Sequence, residues 1–242
     1  MSPVSLTTHF LLQDTNLYHG STTANIIPKY RINPLASARV DYCMTFNPLL
    51  TPSPKRGLLS RISQPPEPTV VSALTQDAAT IANDQTVTTT ALQSLMRSTP
   101  ECSVNHADFE PLCYHPIFLS IETKRFDGGG QAKADLQLGA WLAAQANILQ
   151  SLVKSTQGMR ELPFLPGIVV QGHEWKLVIA TFEVEGTEGG KIHKTRLWTS
   201  EQIFGTTSTI IGTFQIIAGF RAIFAWFQDV LLPWYRQWVL RI

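Results

Sequence analysis

Apolar and polar residues alternate over residues 116–125. Ile117, Leu119 and Ile121 fall on one parity and Ser120, Glu122 and Lys124 on the other. That period of two predicts a strand with one apolar and one polar face. A second alternation covers 37–46, where Val40, Tyr42, Met44 and Phe46 are separated by Asp41, Cys43 and Thr45 until Asn47-Pro48 ends it. Residues 131–154 change period. They hold good helix formers and no proline, and Leu138, Trp141, Leu142, Gln145, Leu149 and Leu152 recur at helical spacing.

Leu162-Pro163-Phe164-Leu165-Pro166 breaks that helix. Residues 167–170 are apolar throughout, as in a central strand covered on both faces, and Gly172 turns the chain into a second strand. Residues 191–198 alternate basic and apolar positions, which predicts an edge strand with a positive face. Residues 206–232 form a long apolar helix, with Ile210, Phe214, Ile217, Phe220, Phe224 and Phe227 at helical spacing. Pro233 then opens a short aromatic tail from Trp234 to Trp238. The fold class expected is α/β, a mixed sheet flanked by helices. The strands at 40–46, 116–124 and 167–170 are neighbours in it, and the 131–154 helix lies across them.

Two stretches lack such periods. Residues 1–36 read as an irregular arm ahead of a single domain at 37–242. Residues 51–90 are rich in Pro, Ser and Thr and read as a mobile insertion with a short helix near 73–82.

Composition narrows the class only a little. The 242 residues suffice for one sizeable core, and a formal net charge of +1 demands a local basic patch of any nucleic-acid binder. Three cysteines, Cys43, Cys102 and Cys113, have no metal-ligand spacing, and an odd count argues against a disulfide framework. With no basic, apolar leader at the start, the expected location is intracellular, cytoplasmic or nuclear. Gln215, Arg221, Gln228 and Asp229 interrupt the long apolar helix. It is therefore read as buried or partner-covered, a surface for homo-oligomers, and not as a membrane span.

The candidate chemistry sits on the first strand. Glu122 and Lys124 are two residues apart and share a face, roughly 6.5–7 Å apart along the backbone. A carboxylate there suits a hard cation, and a lysine beside it suits orienting water or steadying charge on a phosphate. Asp41 lies inside a strand, where Asp is disfavoured, and reads either as an exposed-face residue of an edge strand or as a carboxylate held by rigid backbone at a site. Gln137 lies one turn before Trp141 and reads either as a surface residue, the commoner fate of a glutamine, or as one pointing toward the Glu122 face. His106, in the loop Val104-Asn105-His106-Ala107-Asp108, reads as a turn residue. Phe126-Asp127-Gly128-Gly129-Gly130 lacks the spacing and the following Lys-Ser/Thr of a phosphate-binding loop.

The order of Asp41 strand, Glu122/Lys124 strand, helix and apolar strand resembles the αβββαβ core of the restriction-endonuclease-like PD-(D/E)XK nucleases. The likeness is closer still to a fungal family of PD-(D/E)XK nuclease-like domains. The resembling segments are Arg39-Val40-Asp41-Tyr42, Val104-Asn105-His106, Leu119-Ser120-Ile121-Glu122-Thr123-Lys124, Leu136-Gln137-Leu138-Gly139-Ala140-Trp141 with Ala143-Ala144-Gln145, Leu162-Pro163-Phe164-Leu165-Pro166, and Ile203-Phe204-Gly205-Thr206. The resemblance implies a metal-dependent phosphodiesterase acting on DNA. Asp41 and Glu122 would hold Mg²⁺ or Mn²⁺, Lys124 would position the attacking water, and Gln137 would help from the helix. The alternatives are a repurposed fold that binds or acts on a small molecule, for example in fungal secondary metabolism, or a non-enzymatic interaction module.

Overall fold

Strand β3 (Ile117–Lys124) is central because its sequence leaves it nowhere else to go. Ile117 to Glu122 are all buried, and both backbone edges are paired. The computed structural model describes residues 16–20, 24–32, 39–47, 69–126, 130–186 and 191–242. On one side of β3 lies antiparallel β2 (Tyr42–Phe46), itself paired with β1 (Asn16–Gly20). On the other side lies parallel β4 (Leu165–Gln171), followed by antiparallel β5 (Glu174–Glu185) and β6 (Lys191–Thr199). A two-residue strand, β7 (Gly205–Thr206), also pairs with β5. The sheet is mixed and flanked by helices, as expected. Gly172, at φ +60°, makes the β4–β5 turn, a conformation that favours glycine.

One sheet face is covered by helix α3 (Gly130–Leu152), the crossover between parallel β3 and β4. Gly167 brings helix and sheet together, since a Cβ there would lie 2.8 Å from Leu138 Cδ2. Leu138 and Trp141 are both fully buried, and each contributes on the order of 1.5–3 kcal/mol.

The other face is covered by α5 (Ile210–Leu240). Thr209 caps it by accepting the Gly212 amide at 3.0 Å. Its aromatic side packs on the sheet: Phe227 stacks on Phe118 at 4.4 Å, and Phe220 meets Trp175 edge-on at 5.8 Å. Phe118 occupies a bulge, because Met44 pairs with Leu119 while Thr45 pairs with Ile117. That extra residue breaks the strict alternation expected for Ile117, Leu119 and Ile121.

Four expectations are corrected. Pro233 does not end the helix. Residues Phe227–Leu231 and Tyr235–Leu240 are wound as π-helix, and the wider turn accommodates a residue without an N–H. Of the two readings of that helix, buried or partner-covered, the first does not hold: only 17% of its most apolar stretch is buried, and Ile210 (78%) and Ile211 (74%) are exposed. The stretch read as an arm contributes β1 and the buried residues Ala24, Ile26, Ile27 and Tyr30. Where the short helix at 73–82 was expected, a 30-residue helix, α1 (Thr69–Ser98), is found, with Thr88 and Leu92 buried. Residues 51–68 of the expected insertion lie outside the described residues. Two short helices, α2 (Glu110–Cys113) and α4 (Thr156–Arg160), complete the chain.

Candidate active site

On the α3 face, the middle of β3 is polar. Ser120 and Glu122 are only 0% and 2% exposed. Ser120 Oγ accepts a hydrogen bond from Trp141 Nε1 at 3.1 Å and lies 3.9 Å from Cys43 Sγ. Gln145 Nε2 donates to the Ile117 carbonyl at 2.7 Å. These contacts fix α3 running opposite to β3, with Gly130 over Lys124 at the other end. One turn before Trp141, Gln137 therefore falls at the level of Glu122. Its Oε1 is buried without a hydrogen-bond partner among the described residues.

Glu122 forms an ion pair with Lys124 Nζ through Oε1. The alternation of β3 puts the two side chains on one face, as the sequence predicted. Asp41, just ahead of β2, is held by β3. Its Oδ2 accepts from the Thr123 amide at 2.7 Å and from Thr123 Oγ1 at 2.6 Å, while its own amide donates to the Ile121 carbonyl at 3.1 Å. Burial pushes the Glu122 carboxyl above the usual carboxylate range. The Lys124 hydrogen bond and charge work against that, and the Asp41 charge adds to it. The structure thus pairs Glu122 with Lys124, brings Asp41 near enough for its charge to act on Glu122, and places Gln137 on the α3 turn at that level.

Sequence reasoning missed two residues. Thr123, between the acid and the lysine, is what anchors Asp41, and nothing in its spacing marks it. His106 is no turn residue. It is fully buried, edge-on to Trp141 at 4.4 Å, and burial lowers its pKa to about 3. A neutral imidazole packed there is a core residue.

Charge around the cleft is local. Glu122, Val169 and Lys176 lie in one cross-strand row. Lys176 Nζ donates to Gln131 Oε1 at 3.4 Å, and Gln131 Nε2 donates to Asp135 at 2.8 Å. Burial raises the Asp135 carboxyl. On the basic face expected for β6, Arg196 pairs with Glu183 and His193 lies 3.5 Å from Glu185.

Among the described residues, no group of three or more His, Cys, Asp or Glu converges as a metal site. Asp41 lies near enough to Glu122 for its charge to raise the Glu122 carboxyl, and carboxylate donors of this kind suit a hard cation better than zinc. No curated protein and no solved structure matches the chain. A family profile does: it matches residues 9–232, and with Glu122 and Lys124 paired on the central strand of a mixed sheet, the chain belongs to the PD-(D/E)XK nuclease superfamily.

Proposed function

We propose that the chain is a cation-dependent phosphodiesterase that cleaves DNA, with its reaction centred on Asp41, Glu122 and Lys124. The observation that carries this reading is Glu122, a carboxylate buried on the central strand and drawn between an ammonium and a second carboxylate. A buried charge in such a setting weakens a fold more readily than it strengthens it, so its presence calls for a chemical role.

Asp41 and Glu122 would hold Mg²⁺ or Mn²⁺, with the Gln137 amide oxygen as a further donor. When bound, the ion would supply Lewis-acid stabilisation of the charge that builds up on the phosphate. Lys124, beside Glu122, positions the attacking water and stabilises negative charge on a non-bridging phosphate oxygen. Thr123 keeps Asp41 in place through two hydrogen bonds. Lys176, in the same cross-strand row as Glu122, adds positive charge where a net +1 chain would otherwise have little hold on a phosphate backbone.

The test is cleavage of labelled single- and double-stranded DNA by the purified full chain with Mg²⁺ or Mn²⁺. Wild type is expected to cut, Glu122→Gln to be inactive, and Lys124→Ala to lose turnover far more than cation binding. A well-folded wild type that cuts neither substrate with either ion overturns the proposal.

A further inference from the structure

The outward side of α5 is unlike its inward side. Its large aromatics turn toward the sheet, apart from Phe214, which is 66% exposed. Along the exposed side, Phe214, Ala218, Ala222, Ala225, Asp229 and Pro233 recur every three or four residues, a continuous unpartnered seam. The helix is 31 residues long, about 46 Å. Burial alone names no occupant for this seam; its charges do.

Arg221 and Asp229 are exposed on this side, four residues before and four residues after Ala225. Neither has an ion-pair partner among the described residues. We propose that two copies of this chain pair through α5, antiparallel, about a two-fold axis at Ala225. In that arrangement Arg221 of each copy meets Asp229 of the other, so a single stripe complements itself, as an isologous interface requires. Parallel pairing would set Arg221 against Arg221.

The ends of the seam agree with this register. Ile211 and Phe214 on one copy fall over the segment of the other that exposes Pro233, Gln237 and Ile242. At the axis, alanines let two helix backbones approach closely. A membrane is the competing occupant, because the helix is long and apolar enough to cross one. A span would place Arg221 and Asp229 near the centre of the bilayer, where charge is strongly disfavoured. The same two residues make a second copy the better fit. The inference does not depend on the nuclease reading, since α5 and the carboxylates lie on opposite sheet faces.

The experiment is analytical ultracentrifugation of the full-length wild type, Arg221→Glu, Asp229→Arg and the double reversal, with near-UV circular dichroism to confirm that each is folded. The wild type is expected to be dimeric at micromolar concentration. Each single reversal is expected to weaken the dimer at least about tenfold, and the double reversal to return it to within about threefold of wild type. Oxidation of Ala225→Cys in a Cys102→Ser background is expected to cross-link one copy to another. A wild type that stays monomeric at about 100 µM overturns the proposal, as do single reversals without effect or a double reversal that does not rescue. Flotation of the wild type with phosphatidylcholine–phosphatidylserine vesicles in place of dimerisation would assign the face to a lipid surface and also overturn it.

Discussion

The two faces of the sheet are built on different terms. Under α5 the contacts are aromatic: Phe118 on Phe227, Trp175 on Phe220, and Phe164 stacked on Trp226 at 4.4 Å. Under α3 the same strand turns Ser120, Glu122 and Lys124 toward the helix, and a tryptophan and a glutamine spend their polar atoms on Ser120 and the Ile117 carbonyl. The first face can serve stability alone. The second gives up apolar burial to hold a carboxylate that burial itself pushes toward its neutral form. A difference of this kind within one strand separates what the fold needs from what the chemistry needs.

The sharpest way to break this comparison is Glu122→Gln. Cleavage is expected to fall about a thousandfold or more, the scale of losing a group on which the reaction depends. Stability should move the other way. With its folded pKa raised, Glu122 favours the native state at low pH, and that contribution is lost as pH rises through the folded value. At pH 7.5 the variant should therefore melt higher than wild type, by roughly 2–4 °C if the gain is about 1 kcal/mol. A variant that is inactive and also less stable would mean Glu122 serves the fold.

Core truncations should be costly on both faces. Trp141→Ala and Phe227→Ala are each expected to lose about 3–5 kcal/mol in urea unfolding. Only Trp141→Ala, which also strands Ser120, should disturb activity beyond what its stability loss explains.

His106 sharpens the comparison through pH. Its folded pKa of about 3 lies below the ordinary histidine value, so its contribution is present above about pH 6.5 and lost as pH falls toward 3. Between pH 6.5 and 5 this one group should remove on the order of 2 kcal/mol. Melting curves at pH 7 and 5 should show a smaller acid loss for His106→Phe than for wild type.

The smallest effect belongs to the surface. Arg236 on α5 holds Asp84 on α1 through two hydrogen bonds, one of them 2.7 Å, and keeps that carboxyl below its usual range. Asp84 is half exposed, so Asp84→Asn should cost less than about 1 kcal/mol in urea unfolding.

Much of this was legible in the sequence, for physical reasons. Alternation placed Glu122 and Lys124 on one face, and the period change at 131 announced α3. Asp41 stood out as a carboxylate in a strand, but it lies just ahead of β2 and is held by its bonds to β3. What was not legible depended on distant partners. Residues 83–90 of α1 are rich in threonine, a modest helix former, and read as part of the irregular insertion, although 90–97 reads as a helical turn. In the fold, Thr88 and Thr90 hydroxyls donate back to the carbonyls four residues earlier, and Leu92 is buried. Pro233 follows no local rule because π-turns absorb it. The exposure of Ile210 and Ile211 has no signature at all in a helix that is apolar nearly throughout.

The central claim is that Asp41 and Glu122 form one cation site, and Mn²⁺ titration of the full chain by calorimetry tests it most directly. Wild type should bind Mn²⁺ with displacement by Mg²⁺, Glu122→Gln and Asp41→Asn should each abolish that binding, and Lys124→Ala should retain it. A folded wild type that takes up no Mn²⁺, or uptake that both carboxylate variants leave unchanged, would contradict the account.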